Sequence, residues 1–193
     1  MKKILNKKNL NQLSIVYFSI TVFFIWWMIL GENLSFQPYV WDDLHFFRIY
    51  SNEELISTWN GNWDPDNIET PSYRPIATLY YHFLYFVFNE NTFLLRIFIF
   101  CGVLFLILLT NKLFKLLNFS KSQIIIFTSL IIFSKIFTTL VAWFTVSILI
   151  FIYIFAIASI MFFFFSIEKN NNFYFIISLV FACCAIFARE ELY

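Results

Sequence analysis

Two adjacent carboxylates, Asp42 and Asp43, stand in the stretch QPYVWDDLHFF, residues 37–47, beyond a long run without charge. A helix beginning near Trp41, with 3.6 residues per turn, puts Asp42, His45 and Ile49 on one face and Asp43, Phe46, Phe47 and Tyr50 on another. The two acids then point in different directions. Asp42 falls in the first helical turn, where backbone N–H groups and the helix dipole favour an ionised carboxylate. That is the state of a general base rather than of a general acid. The competing reading makes Asp42 the cap of a loop helix, and the residues alone leave both open.

The elements that must hold this pair are apolar. Hydrophobic residues make up 61% of the chain and charged ones 13%, against about 45–50% and roughly 25% in soluble domains. Leu13–Leu30, Ile97–Thr110, Ser122–Ser134, Ile136–Ile167 and Phe173–Ala188 are free of charge. About 20 mostly apolar residues span a bilayer core, and lipid admits only helices or closed barrels. The fold class expected is therefore an all-α integral membrane protein: a multi-span helical bundle with an extracytoplasmic loop carrying short helices after the first span. The spans are expected near 13–31, 92–111, 122–135, 143–166 and 172–188, in a single domain over 1–193. Residues 76–88 are short for a crossing and read as an interfacial or re-entrant helix.

Lysines set the orientation. Lys2, Lys3, Lys7 and Lys8 precede the first span and Lys112, Lys115 and Lys121 form the next basic loop, so both belong on the cytoplasmic side. The segment before the first span has the charge of a signal peptide. Its apolar run is too long for one and lacks a cleavage pattern, which reads as an uncleaved anchor. The outer loop, 32–75, then faces away from the cytoplasm with eight carboxylates and two arginines, a net of −6. By the same count AREEL emerges on the outer side. Cys101, Cys183 and Cys184 lie inside expected spans and read as packing residues. The chain stops three residues after Glu190, which suggests an N-terminal part of a larger bundle.

Three segments carry a resemblance. The first span followed by an outer Asp-Asp pair resembles the GT-C glycosyltransferases, multi-span enzymes that take sugars from polyprenyl-phosphate carriers. WDDLHF is similar to the Asp-Glu-x-His-Phe segment of protein O-mannosyltransferases. SYRPIATLYYHFLYFVFNENTFLLRIF, residues 72–98, looks like the Tyr-Arg-Pro, aromatic helix, Asn-rich turn and next span of the O-mannosyltransferase group and its bacterial relatives. CAIFAREEL, residues 184–192, resembles the small-apolar run ending in Lys-Glu after the fifth span, with Arg189 where Lys is usual. The His-Pro-x-x-Glu pattern of that group is absent around SKIFTTLVAW, which leaves mannose and a protein acceptor unsupported.

The resemblance implies an inverting transfer on the outer face of the membrane, from a polyprenyl-phosphate-linked sugar to an acceptor hydroxyl on a protein, lipid or glycan. Asp42 is the expected base, with Asp43 as its catalytic partner. Asp43 or His45 would orient the acceptor; His45 alternatively bonds within the loop. Arg74 and Arg189 suit the departing phosphate, because a guanidinium offers paired donors to its oxygens. Each has a plainer role as well, Arg74 as an interfacial anchor and Arg189 in a salt bridge to Glu190 or Glu191. Glu190, carried over from the Lys-Glu motif, would hold the donor sugar or the phosphate-binding arginine. Tyr73, Trp59 and Trp63 can stack on a sugar, whereas Arg96 is expected to snorkel to the outer surface. No metal ligands are assigned, although some members of the wider fold bind a divalent ion, and a hydrated Mg²⁺ or Mn²⁺ at the acidic pair is compatible with the residues. The remaining expected partners are membrane lipids, and no basic face invites nucleic acid. Two alternatives stand beside the enzyme: a non-catalytic multi-span protein, transporter or assembly scaffold, and an inactive truncated relative.

Overall fold

Every element in the computed structural model is helical, and it describes residues 16–21, 24, 46–61, 73–89, 91–134 and 147–188, with no strand among them. After the helical stretch 16–21, the helices are α1 (Asn52–Ser57), α2 (Pro75–Phe88), α3 (Thr92–Leu116), α4 (Lys121–Ile132), α5 (Ile148–Lys169) and α6 (Asn172–Ala188). Their starts follow capping chemistry. Ser51 and Ser120 each accept a hydrogen bond from the backbone N–H three residues on, and Glu54 and Gln123 return the bond. Asn91 Oδ1 accepts from the Leu94 N–H at 3.0 Å, and Pro75 opens α2 at the position where its missing N–H costs nothing. Their ends use asparagine where glycine is commoner: Asn89, Asn118 and Asn170 take φ of 49°, 61° and 47°.

The element boundaries depart from expectation at charges. α3 runs to Leu116 rather than stopping near 111, carrying Lys112 and Lys115 on its last turns. Lysine is a good helix former, and there it complements the helix dipole. α5, Ile148–Lys169, ends at Lys169 rather than 166, and the expected start at 143 lies outside the described residues. α3 and α5 contain the helices long and apolar enough to cross a membrane, Phe93–Leu116 and Ile148–Lys169. Only 39% and 28% of their apolar windows are buried inside the protein. A core helix of a soluble domain hides most of such a surface, so these two expose theirs.

α5 and α6 form an antiparallel hairpin. Asn170 turns the chain left-handed, and Phe162 stacks on Tyr174 at 6.2 Å and on Phe181 at 5.6 Å. Small side chains bring the two backbones close: the Ser178 hydroxyl donates to the Ser159 carbonyl at 2.8 Å. α3 runs parallel to α5. A Cβ on Gly102 would stand 3.5 Å from Ile150 Cγ2, and Phe98 stacks on Phe151 at 5.7 Å. The C-terminal ends of α3 and α5 therefore share one end of the bundle, with Lys112, Lys115, Lys121 and Lys169; this is the lysine end.

α2 stays at the other end. The Tyr80 hydroxyl lies 2.9 Å from Ser147 Oγ at the start of α5, and the Tyr80 ring is 5.0 Å from Phe151. Phe88, the last residue of α2, packs at 5.2 Å on Phe98, which itself lies on Phe151. Both the first half and the last residue of this 14-residue helix thus meet the same level of α3 and α5.

Two buried polar features tie the bundle. Asn111 of α3 donates to the Ser19 hydroxyl and accepts from the Thr128 hydroxyl of α4, all three being buried. Arg96 is 7% exposed, so it does not snorkel outward as expected. With Ile99, Phe100, Val103 and Ile107 it occupies the buried face of α3 at helical spacing. The Asn111 contacts generate a prediction. A double-mutant cycle of Asn111→Ala and Thr128→Val should give a coupling of about 0.6–1.7 kcal/mol, the range for interhelical hydrogen bonds in membrane proteins, read from unfolding of the detergent-solubilised chain. Zero coupling would mean that this contact does not join α3 to α4.

Candidate active site

The segment after the acidic pair is fixed on α2. Phe46 stacks on Tyr81 at 5.7 Å and Phe47 meets Tyr85 edge-on at 5.1 Å. The Tyr50 N–H donates to His82 Nδ1 at 3.1 Å, so neutral His82 carries its proton on Nε2. The Tyr50 hydroxyl donates to the Phe46 carbonyl at 3.0 Å. Hydrophobic burial and one part-buried backbone-to-imidazole hydrogen bond hold residues 46–50 against the helix. Asp42, Asp43 and His45, directly upstream, lie outside the described residues, as do Arg189 and Glu190.

Tyr73 and Arg74 are described, and they stand at the start of α2. The Tyr73 hydroxyl donates to the Trp59 carbonyl at 3.2 Å. Its ring meets Phe187 edge-on at 6.1 Å, and Trp59 meets the same Phe187 at 6.4 Å. Phe187 is next to last in α6, two residues before Arg189. Edge-to-face pairs of this kind contribute about 0.5–1.5 kcal/mol beyond burial. Three distant segments of the chain are therefore joined by rings: the loop after α1, the entry of α2 and the exit of α6. Arg74, half-buried, is the residue before Pro75; its carbonyl accepts from the Ala77 N–H at 2.9 Å, closing the first turn.

α1 adds charge to this end. Arg48 Nη2 donates to Glu54 Oε1 at 3.2 Å, and its guanidinium lies 4.8 Å above the Tyr50 ring. Glu54 Oε2 accepts from the Ser51 N–H at 2.6 Å. That backbone bond, more than the Ser51 hydroxyl or the Arg48 cation, holds the Glu54 carboxyl below its ordinary pKa against an opposing push from burial. Among the described residues no three His, Cys, Asp or Glu side chains gather as a metal site; the acidic pair, the place compatible with a divalent ion, is not among them.

Sequence reasoning singled out Tyr73 and Arg74 but passed over His82, Arg48 and Phe187. His82 carries a signal of its own, a lone polar side chain in the aromatic run LYYHFLY. Phe187 carries none, being one of 29 phenylalanines. No family model, curated protein or solved structure matches the chain. The likeness to GT-C enzymes accordingly rests on the quoted motifs and their order.

The Glu54 contacts set a pH dependence. A carboxyl whose folded pKa is depressed contributes stability above its unfolded pKa and loses it as pH falls through the folded value. Amide exchange over residues 51–58, corrected for intrinsic rates, should therefore accelerate as the solution is acidified below the ordinary glutamate range. Glu54→Gln keeps the capping geometry without the charge and should flatten that response. An unchanged pH response in the variant would assign it to another group.

Proposed function

We propose that the chain is a membrane-embedded inverting glycosyltransferase that moves a sugar from a polyprenyl-phosphate carrier to an acceptor hydroxyl. The observation that carries the reading is the Phe187 junction. Tyr73 and Arg74 at the entry of α2, and the end of α6 leading to Arg189 and Glu190, meet beside the loop that follows Asp42 and Asp43. Two helices long and apolar enough to span a bilayer support the membrane setting, and the separation of the lysine end from this junction supports an extracytoplasmic site with a cytoplasmic N-terminus.

In this reading Asp42 accepts the proton of the acceptor hydroxyl as its oxygen attacks the anomeric carbon. The bond from that carbon to the phosphate oxygen breaks on the opposite face, and the phosphate leaves with the electron pair. Arg74 and Arg189 receive the growing negative charge, where a low-dielectric membrane edge screens it little. Asp43 and His45 orient the acceptor, Glu190 positions the donor sugar or Arg189, and Tyr73 offers a stacking face. A divalent ion at the acidic pair would add a further positive charge beside the phosphate.

A non-catalytic role draws its support from Arg96, since an ionisable side chain inside an apolar helix marks a pathway in many transporters. The Ser19–Asn111–Thr128 group lends that role little. Its hydrogen bonds close on one another, and the void beside Thr128 is about 10 Å³, room for one water at most.

The test is release of free polyprenyl phosphate from polyprenyl-phosphate-linked hexoses by the purified chain. Asp42→Asn should lower the rate about 10²–10⁴-fold, the usual contribution of a general base, with the protein still inserted and folded. Asp43→Asn should be milder, and Arg74→Ala should slow release without unfolding α2. Full activity in both aspartate variants would reduce Asp42 to a helix cap.

A further inference from the structure

A groove of about 620 Å³ runs between α3 and α5. Gly102, Phe105 and Leu109 line it from α3, Ala158 and Met161 from α5, and Phe181 closes its flank from α6. Apart from Cys101 and Lys112 its lining is apolar. At the end away from the lysines the groove is lined by Phe98 and Phe151. At the other it reaches Lys112. From Phe98 to Lys112, the stretch of α3 that lines it, is about 21 Å along a helix at 1.5 Å per residue, well within a hydrocarbon core roughly 30 Å thick.

The lysine mouth is cationic. Lys169 Nζ lies 5.9 Å from the centre of Phe165, which lines the groove, and 4.8 Å from that of Tyr174, whose hydroxyl accepts its hydrogen bond at 3.2 Å. The side chain is thus held near Phe165, which lines the groove as Lys112 does. Glu168 is the one carboxylate at this end among the described residues, against Lys112, Lys115, Lys121 and Lys169. An apolar slot that opens toward ammonium groups at its lysine end has the form of a lipid site: one chain in the slot and a phosphate at its mouth.

We propose that this groove binds a single acyl chain of an anionic glycerophospholipid from the lysine-side leaflet, with Lys112 and Lys169 on its phosphate. The mouth of the groove lies at the lysine end, away from the candidate active site, while its inner end reaches Phe98 and Phe151 at the level of α2; an occupant whose phosphate sits on the lysines is a structural lipid and not the sugar donor. The proposal rests on the bundle being in a bilayer and is independent of the glycosyltransferase reading.

The test uses the full chain in bilayer discs carrying a phosphatidylglycerol or a phosphatidylcholine with a diazirine midway along one acyl chain. Photolysis and peptide mapping then read which residues are labelled. Phosphatidylglycerol should label Phe105, Leu109 and Met161 about tenfold more than phosphatidylcholine does, from two lysines at headgroup depth. In Lys112→Gln/Lys169→Gln that preference should vanish, and Ala158→Phe, which fills the slot, should remove groove labelling altogether. Phe163 and Ile176, exposed on the outer surface of the hairpin, should be labelled equally by both lipids in every variant. Equal labelling of the groove by both lipids, or crosslinks from it to a second copy with no lipid adduct, would overturn the proposal while leaving the membrane setting intact. Absence of label at Phe163 and Ile176 as well would overturn the membrane setting and the proposal with it.

Discussion

Phe187 is the point on which the arrangement turns. Its ring receives Trp59 from the loop and Tyr73 from the entry of α2, while its own helix is anchored along its length to α5 through Phe162, Phe181 and the Ser159–Ser178 contact. That junction brings the loop after α1 to the place where α2 and α6 already pack on each other, with Ala185 and Ala188 of α6 in the same core as Ala77 and Tyr81 of α2. Aromatic contacts suit the task because each ring brings a large apolar area with few rotatable bonds. The hydroxyl of Tyr73, held on the Trp59 carbonyl, sets the direction of approach that burial alone leaves free.

The rest of the bundle follows the logic of a chain with little polar material. Its apolar helices expose Phe86, Phe93, Leu130 and Ile167 outward and place several of their polar side chains at joints: Tyr80 with Ser147, Ser159 with Ser178, and Asn111 with Ser19 and Thr128. Each joins different helices, and each is closed by a partner in the same chain. Charge is sorted to the two ends, with lysines at one and the Arg48–Glu54 pair at the other.

Much of this was legible in the residues. The charge-free runs located α5 and α6, and the helix expected over 76–88 is α2, which starts one residue earlier because a helix accepts proline readily in its first turn. Lys112 and Lys115 misled, since a charge ends an apolar run without ending a helix. Arg96 misled differently. α3 is apolar on nearly every face, so only tertiary packing reveals that the 96–99–100–103 stripe is the inward one. The Phe187 junction was out of reach for a related reason: it joins residues 59, 73 and 187, and no local pattern distinguishes one phenylalanine among many. The motifs flanking it, Tyr73-Arg74 and Arg189-Glu190, were found from chemistry and from resemblance.

The central claim is that the Phe187 junction and the lysine end lie on opposite faces of a membrane. Single cysteines placed at Asn60 and at Lys121, in a chain whose Cys101, Cys183 and Cys184 are replaced by alanine, can be probed in intact cells with an impermeant thiol reagent. Asn60→Cys should react from outside, and Lys121→Cys should react only after the membrane is opened. Reaction of Lys121→Cys in intact cells with Asn60→Cys protected, or reaction of both, would contradict the account.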